Sequence, residues 1–546
     1  MTAGQIAIGI IAVYLLVLLL LGILSNRVFR GTAADYFLAS RGVGSVVLLL
    51  SVFGTTMTAF AMQGSSGEAW QSGIVVFGKM ASWSGIVHSA CFFLVGIKLW
   101  ALGRRYGYVT QIQFFRERFE SDGLGLLLFP LLVALVMIYI LMGVIGSGKV
   151  ISTVTQGALP QLFAHTKGGV PYWLATGTVC LVVLAYVFFG GVRGTAWANA
   201  FQTFVFVIVG IITFAVIADK LGGPAAATRM VQEYNPTKLK RGKTEQDVEL
   251  YKTKLAAFES SPRTSVIKPH PPKDVSQLEF LSYGLIPLSV AMFPHLFQLW
   301  LTARSARTFR LTVVAHPVLI MIVWLPCVLI GVWATSAIFD GRAVIPPEGS
   351  PNANAILAIM VSKLAAPALG GLLAAGILAA IVGGLDAQFL CVGSMFTHDI
   401  LAHHRRAVPL NDTQLLRAGR LFVVLVVAAS YLLSLWLTES RTIFPLGIWC
   451  FSGFAGLFPL VFGALYWRRA TKAGAYASTL TTVIVWIWLF QQSNYGKADE
   501  VLVLGVLPVI WIVGASAAAL VVVSLLTAVP SPGTVAKFFG TSADGR

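Results

Sequence analysis

LGGLLAAGILAAIVGGLDAQFLCVGSMFTHDIL, residues 369–401, is an apolar run of membrane-crossing length with an acid, Asp386, in its middle. A carboxylate at mid-bilayer costs about 2.5–3.5 kcal/mol on insertion scales, so such a group faces a cavity, a counter-ion or an ion path. Gly383 and Gly384 lie directly upstream. On a helix Ala380, Gly383 and Asp386 share one face, forming a narrow notch of small side chains that ends in an acid. The plainer reading of Asp386 is a structural acid hydrogen-bonded to a neighbouring helix.

The rest of the chain is of the same kind. It has 546 residues, 57% hydrophobic and 11% charged, with mean hydropathy +0.81. A soluble fold of this length carries far more charge. About thirteen segments approach the roughly 20 apolar residues that span a bilayer, which makes this an all-α polytopic membrane protein. Cys91, Cys180, Cys327, Cys391 and Cys450 sit apart inside apolar runs, so neither a disulfide framework nor a zinc site is expected. The net charge of +17 does not point to nucleic acid. With the N-terminus outside, the short inner loops hold roughly twenty Lys or Arg and the short outer loops about four, the positive-inside asymmetry. This places the protein in the cell membrane, with the lipid bilayer as its surroundings and the C-terminus cytoplasmic.

Helix one spans about residues 4–25 and lacks the basic start of a signal peptide, so it is expected to be retained. Helix two, about 44–72, has Gly54, Thr55, Thr56 and Thr58 at its centre, then Gly64, Ser65, Ser66 and Gly67. These residues weaken a helix and supply oxygens, as a discontinuous helix at a binding site requires. A plain Gly/Ser/Thr packing seam is the alternative. Helix three, about 74–102, carries Lys79 and His88 and runs into a basic amphipathic stretch read as an interfacial helix on the inner surface. Helices four, five and six span about 123–150, 171–190 and 197–218. A Pro-containing polar loop at 219–278 follows, expected to be solvated and partly disordered, with an exposed helix near 244–257.

Helix seven, about 280–302, contains Pro287 and Pro294 beside His295. A mid-span proline frees a backbone carbonyl, marking a second interruption. Helix eight spans about 310–338, a short outer helix covers 353–366, and helix nine is the opening stretch. Helices ten to thirteen span about 417–437, 442–466, 474–491 and 500–526. The interrupted helices two and seven are five spans apart and so run in opposite directions. That is the spacing of a five-plus-five inverted repeat, helices two to six and seven to eleven, with one extra helix before and two after. The expected divisions are 1–43, 44–218 (first repeat), 219–278 (outer loop), 279–467 (second repeat) and 468–546.

Six stretches, in order over roughly residues 35–478, resemble the sodium:solute symporter family, whose members share the LeuT-type fold. They are DYFLASRGVG (35–44), GYVTQIQFFRERF (107–119), GGVRGTAWANAFQ (190–202), FPHLFQLWLTARSAR (293–307), AAIVGGLDAQFL with FTHDI (379–400) and YWRRATKAGAYAS (466–478). The resemblance implies a sodium site built from backbone carbonyls of Gly54 and Met57 on helix two and Ala380 on helix nine, completed by two hydroxyls. Those hydroxyl positions are here Gly383 and Gly384, the family's acid in the inner turn is Asn199, and Gln113 also replaces an acid. A hard cation needs several oxygens in place of its water, so this departure bears on coupling.

Three readings follow: Asp386, with Thr55 or Thr56, supplies the missing oxygen and sodium drives symport of a small organic solute; Asp386 carries a proton, or coupling is absent; or the protein is a transporter-like sensor. On the first reading, restoring hydroxyls at 383 and 384 is expected to raise sodium affinity. The family's solute pocket maps onto Gln63, Ser66, Lys79, His295, Gln298 and Gln388, with Met80, Trp83 and Phe297 as a possible apolar wall. Lys79 would favour an anionic solute unless it pairs with Glu68 or snorkels outward. No catalytic constellation stands out, so an enzyme is not expected.

Overall fold

The structure, a computed structural model, describes residues 1–26, 36, 41–260, 267–346, 352–404, 410–437, 443–496 and 502–540. Most of the basic loop after helix one, part of the proline-rich turn near 346–351 and the last six residues lie outside these.

Eleven continuous helices are long and apolar enough to span a membrane: Ala3–Gly22, Val75–Tyr106, Asp122–Val154, Tyr172–Val192, Gly194–Lys220, Ala306–Ala334, Pro367–His404, Asp412–Leu437, Ile443–Tyr466, Lys472–Gln492 and Pro508–Leu526. Two more spans are broken. Ser45–Thr56 and Phe60–Ser72 meet at 57°, and Gln277–Ala291 and Pro294–Leu301 at 52°. These are helices two and seven, giving the thirteen spans expected of an all-α multi-pass membrane protein. A two-stranded ribbon, Ile338–Phe339 with Arg342–Ala343, is the one sheet among the described residues.

Each break has a local cause. In helix two the first half stops at Met57, whose ψ of 84° leaves the helical region, after Thr56 Oγ1 donates to Phe53 O at 2.8 Å. In helix seven Phe293 is extended (ψ 115°) and Pro294 starts the second half, where a proline needs no N–H donor. The two helices run antiparallel: Val43, before helix two, donates to Thr302 O after helix seven at 3.0 Å, and Arg304 donates back to Val43 O at 3.0 Å. Between helices five and six Gly191 has φ +56°, and a side chain there would meet Tyr36. Burial ranks the spans: 78% of the most apolar window of helix nine and 89% of that of helix eleven are buried, against 28% for helices ten and thirteen. Helix nine is therefore central, and its acid lies inside the bundle.

Two expectations are corrected. The stretch 107–119 is not an interfacial helix. Gln111–Arg118 is capped by Thr110 and Gln113, and Phe114, Phe115, Arg116 and Arg118 are buried. Its polar side chains bond to other segments, which an amphipathic pattern alone does not show. Gln111 donates to Met292 O at the break of helix seven (3.1 Å), and Arg116 donates to Asp399 O at the end of helix nine (2.8 Å). Arg118 donates to Ala464 O and Trp467 O, at 2.9 and 3.0 Å, closing the end of helix eleven.

The loop 219–278 contains the helices Pro224–Tyr234 and Glu245–Ser260 among its described residues. Asn235, Lys238 and Asp247 are buried, and Asn235 Nδ2 donates to Thr335 O and Ser336 Oγ, both at 3.0 Å. Lys238 Nζ donates to Gln71 O and Pro271 O, and Lys273 lies 3.5 Å from Glu68. The helix 245–260 is largely exposed, as expected, whereas Asn235 and Lys238 are buried and bond to the ends of helices eight and two.

Candidate ion and solute site

Asp386 is fully buried on helix nine and faces polar groups. Tyr186, from helix five, donates its hydroxyl to Asp386 Oδ2 at 2.9 Å, and Oδ1 has no hydrogen-bond partner among the described residues. Asn199, from helix six, stands beside the carboxyl and donates Nδ2 to Thr55 Oγ1 at 3.2 Å. The Asn199 Oδ1 atom is likewise buried without a partner, and Gln202 stands beside the Tyr14 and Tyr186 hydroxyls. A buried polar atom left unpaired costs about 1–3 kcal/mol, so the neighbouring Asp386 and Asn199 oxygens mark a candidate place for a guest.

The two glycines show how close the walls are. A Cβ built on Gly383 would lie 2.9 Å from Gln202 Oε1, 3.1 Å from Asn199 Oδ1 and 3.8 Å from Gly54 O. On Gly384 it would lie 2.7 Å from Thr58 Cγ2 and 3.6 Å from Thr55 O. Gly54 in turn lets helix six approach, since a Cβ there would meet Thr203 Oγ1 at 2.2 Å. The structure thus brings together Gly54, Thr55, Gly383, Gly384 and Asp386. Met57 and Ala380 are buried at the break and one turn from Gly383, whereas the Thr56 hydroxyl is spent on its own helix. Side chains at 383 and 384 would have to shift the side-chain ends of Gln202 and Asn199 and the Thr58 methyl.

The solute residues divide. Gln63, just past the break of helix two, donates Nε2 to Gly146 O on helix four at 3.2 Å and leaves Oε1 unpaired. His295, just past the break of helix seven, has neither ring nitrogen paired and stacks on Phe293 (5.2 Å) next to Tyr139 of helix four (5.6 Å). Gln388 Oε1 is also buried and unpaired, and Gln298 is buried on the second half of helix seven. Ser66 turns its hydroxyl to Gln63 O at 3.2 Å. Lys79 is held by Glu279 at 2.5 Å, both buried, rather than by Glu68. Trp83 donates to Phe280 O at 3.1 Å beside that pair, while Met80 and Phe297 are buried.

Sequence reasoning missed the aromatic lining at the breaks: Phe60, Tyr139, Phe293 and Phe451 lie ring to ring at 4.9–5.7 Å. It also missed Tyr14, Tyr186 and Gln202 at the acid. The signal for Gln202 was present, since it closes the quoted segment GGVRGTAWANAFQ.

Residues 36–482 match the model of the sodium:solute symporter family. The chain belongs to the sodium:solute symporter family. It is accordingly a multi-pass membrane transporter and not an enzyme. Sodium/proline symporters of Staphylococcus aureus strains JH9 and NCTC 8325 are each 25% identical over 496 residues, 88% of this chain and 85% of theirs. A Na+-coupled sialic acid symporter in a substrate-bound, outward-open state superposes with a TM-score of 0.72 at 17% identity, covering 97% of this chain and 100% of that one. Mhp1, a nucleobase-cation-symport-1 family transporter, superposes at 0.54 and 13% identity, over 92% of this chain and 97% of that one. The symporter's fold is thus that of LeuT-type carriers, as the paired breaks led us to expect.

Proposed function

We propose that this symporter couples inward sodium movement to uptake of a small, neutral or zwitterionic organic solute, by alternating access around the two breaks. The observation that carries it is a set of buried polar atoms without partners on the broken and central spans: Asp386 and Gln388 on helix nine, and Gln63 and His295 just past the breaks of helices two and seven. With Lys79 neutralised by Glu279, no free cation selects an anion there, and neutral donors within an aromatic lining suit a compact solute such as an amino acid. The sodium/proline relatives support the same class. The ion favours one arrangement only through its difference in affinity between states. We place the N-terminus outside and the C-terminus in the cytoplasm on the charge asymmetry of the loops, and the repeats at 44–218 and 279–467.

The test is uptake of radiolabelled proline, and of a panel of amino acids, into proteoliposomes. An imposed sodium gradient is expected to drive accumulation. A proton gradient driving it instead would favour the second reading, which the missing hydroxyls at Gly383 and Gly384 keep open. Binding without accumulation under either gradient would mean a sensor.

A further inference from the structure

The last described helix, Pro532–Phe539, lies across one end of the bundle and is held by several separate segments at once. Ser531 caps it, accepting from Thr534 N at 3.2 Å, and the Ser531 and Thr534 hydroxyls both donate to Glu120 Oε1. Lys537 Nζ meets Glu117 Oε2 at 2.5 Å, and the Lys537 carbonyl accepts from the hydroxyl of Tyr106, the last residue of helix three, at 2.7 Å. The Phe538 ring lies 5.8 Å from that of Tyr106 and 6.0 Å from that of Phe114. Arg468, just past helix eleven, donates to Phe539 O at 3.4 Å, and Arg118 lies over the Phe539 ring at 5.1 Å. The short helix that receives it, Gln111–Arg118, also reaches the break of helix seven through Gln111 and the end of helix nine through Arg116.

A helix of eight residues is shorter than the roughly 12–15 at which a helix begins to hold by itself in water, so this one depends on its docking. Pro530 and Pro532 flank Ser531 and prevent continuity with helix thirteen, which leaves residues 527–531 as a joint. The acid that the helix grips is itself in a costly conformation: Glu120 has φ +48°, in the left-handed region, at the turn from the short helix into helix four. We propose that residues 531–540 are a latch with two states, docked and folded or released and unfolded, and that docking restrains the parting of helices three, four and seven at this end of the bundle. This rests on the alternating-access reading and adds a regulator to it. The latch bridges the end of helix three to the entry of helix four and the exit of helix eleven, and it favours one arrangement by the docking free energy that the other loses. Its grip lies in surface hydroxyls and carboxylates, so negative charge added beside Glu120 releases it.

The experiment uses the purified full-length protein, with hydrogen exchange followed by mass spectrometry in detergent and proline counterflow measured in proteoliposomes. Ser531→Asp keeps a good helix cap but sets a second carboxylate against Glu120. It should remove protection from 532–539 and speed exchange about fivefold or more over 98–119 and 283–301. Phe538→Asp should do the same by removing the ring contacts, and Phe538→Leu should not. The decisive arm is Ser531→Asp combined with Glu120→Gln, in which the amide at 120 donates to the carboxylate at 531 and protection should return throughout. Release of 532–539 that leaves 107–119 and 283–301 unaltered would overturn the latch, as would a paired variant that exchanges as fast as Ser531→Asp alone. Counterflow of radiolabelled proline should be at least about twofold faster in Ser531→Asp than in the wild type, and an equal or slower rate would overturn the restraint. A wild type with no proline counterflow would count against the solute class proposed above, and hydrogen exchange would still decide the latch.

Discussion

At the scale of single residues, glycine is used here for what its missing side chain leaves to others. Gly384 is the clearest case: the Thr58 methyl lies 2.7 Å from where a Cβ would be, at the break of helix two. Gly384→Thr should push the break away and lower stability by about 1–3 kcal/mol, the usual cost of overpacking, seen as a fall in melting temperature with weaker sodium stabilisation. On the solute side, His295→Ala and Gln63→Leu remove unpaired polar atoms without touching the acid. Each should raise the solute KM by roughly tenfold or more, as expected when a buried polar contact is lost, with the sodium midpoint unchanged. Asp386, the glycine pair and Gln63 stood out as candidates because each breaks a local rule: an acid in lipid, helix weakeners and an amide in an apolar span. Asn199 stood out only as a replacement of the family's acid and Gln202 only as the end of a quoted segment, because what they face depends on helix nine, nearly 190 residues further on. Lys79 was misassigned for the same reason. Its partner, Glu279, is 200 residues away, and Glu68 was only the nearer acid in sequence.

At the scale of elements, the short helix Gln111–Arg118 joins parts of the molecule that helix packing alone would leave loosely related. Thr110 Oγ1 donates to Asp399 Oδ1 at 2.8 Å, and Arg116 lies 3.8 Å from the same oxygen while donating to the Asp399 carbonyl. These bonds hold the end of helix nine against a segment that also touches the break of helix seven. Arg116→Ala should therefore loosen this end of the bundle, by about 2–4 kcal/mol for a buried pair. The expected readout is faster hydrogen exchange over 107–119 and 396–404, with slower solute accumulation and little change in initial binding. The spans and breaks themselves were legible, since hydrophobic length, proline and small polar residues act within a few positions. The burial of this helix was not, because its amphipathic pattern suits a membrane surface and a protein groove equally.

At the scale of the whole molecule, the loop 219–278 acts as a strap. Lys238 inserts its Nζ between Gln71 O and Pro271 O, donating to both, and its own carbonyl accepts from Ile74 N at 2.8 Å. Burial, with Lys273 adding to it against the opposing pull of Glu68, lowers the Lys238 amine from 10.5 to about 8. Between those values the unfolded chain binds more protons than the folded one, so the strap's contribution rises with pH across about 8–10.5 and is smallest below 8. The melting temperature of the wild type, relative to Lys238→Met, should accordingly increase from pH 7.5 to 9.5. A difference that stays flat would show that this lysine is hydrated.

The crowding beside Gly383 also constrains descent and redesign. A chain with hydroxyls on helix nine and an acid on helix six cannot be converted to this one by independent single replacements, since a serine at 383 and the present amides compete for one volume. Replacements at 199, 202 and 383 are therefore expected to be non-additive, as a double-mutant cycle on melting temperature would read.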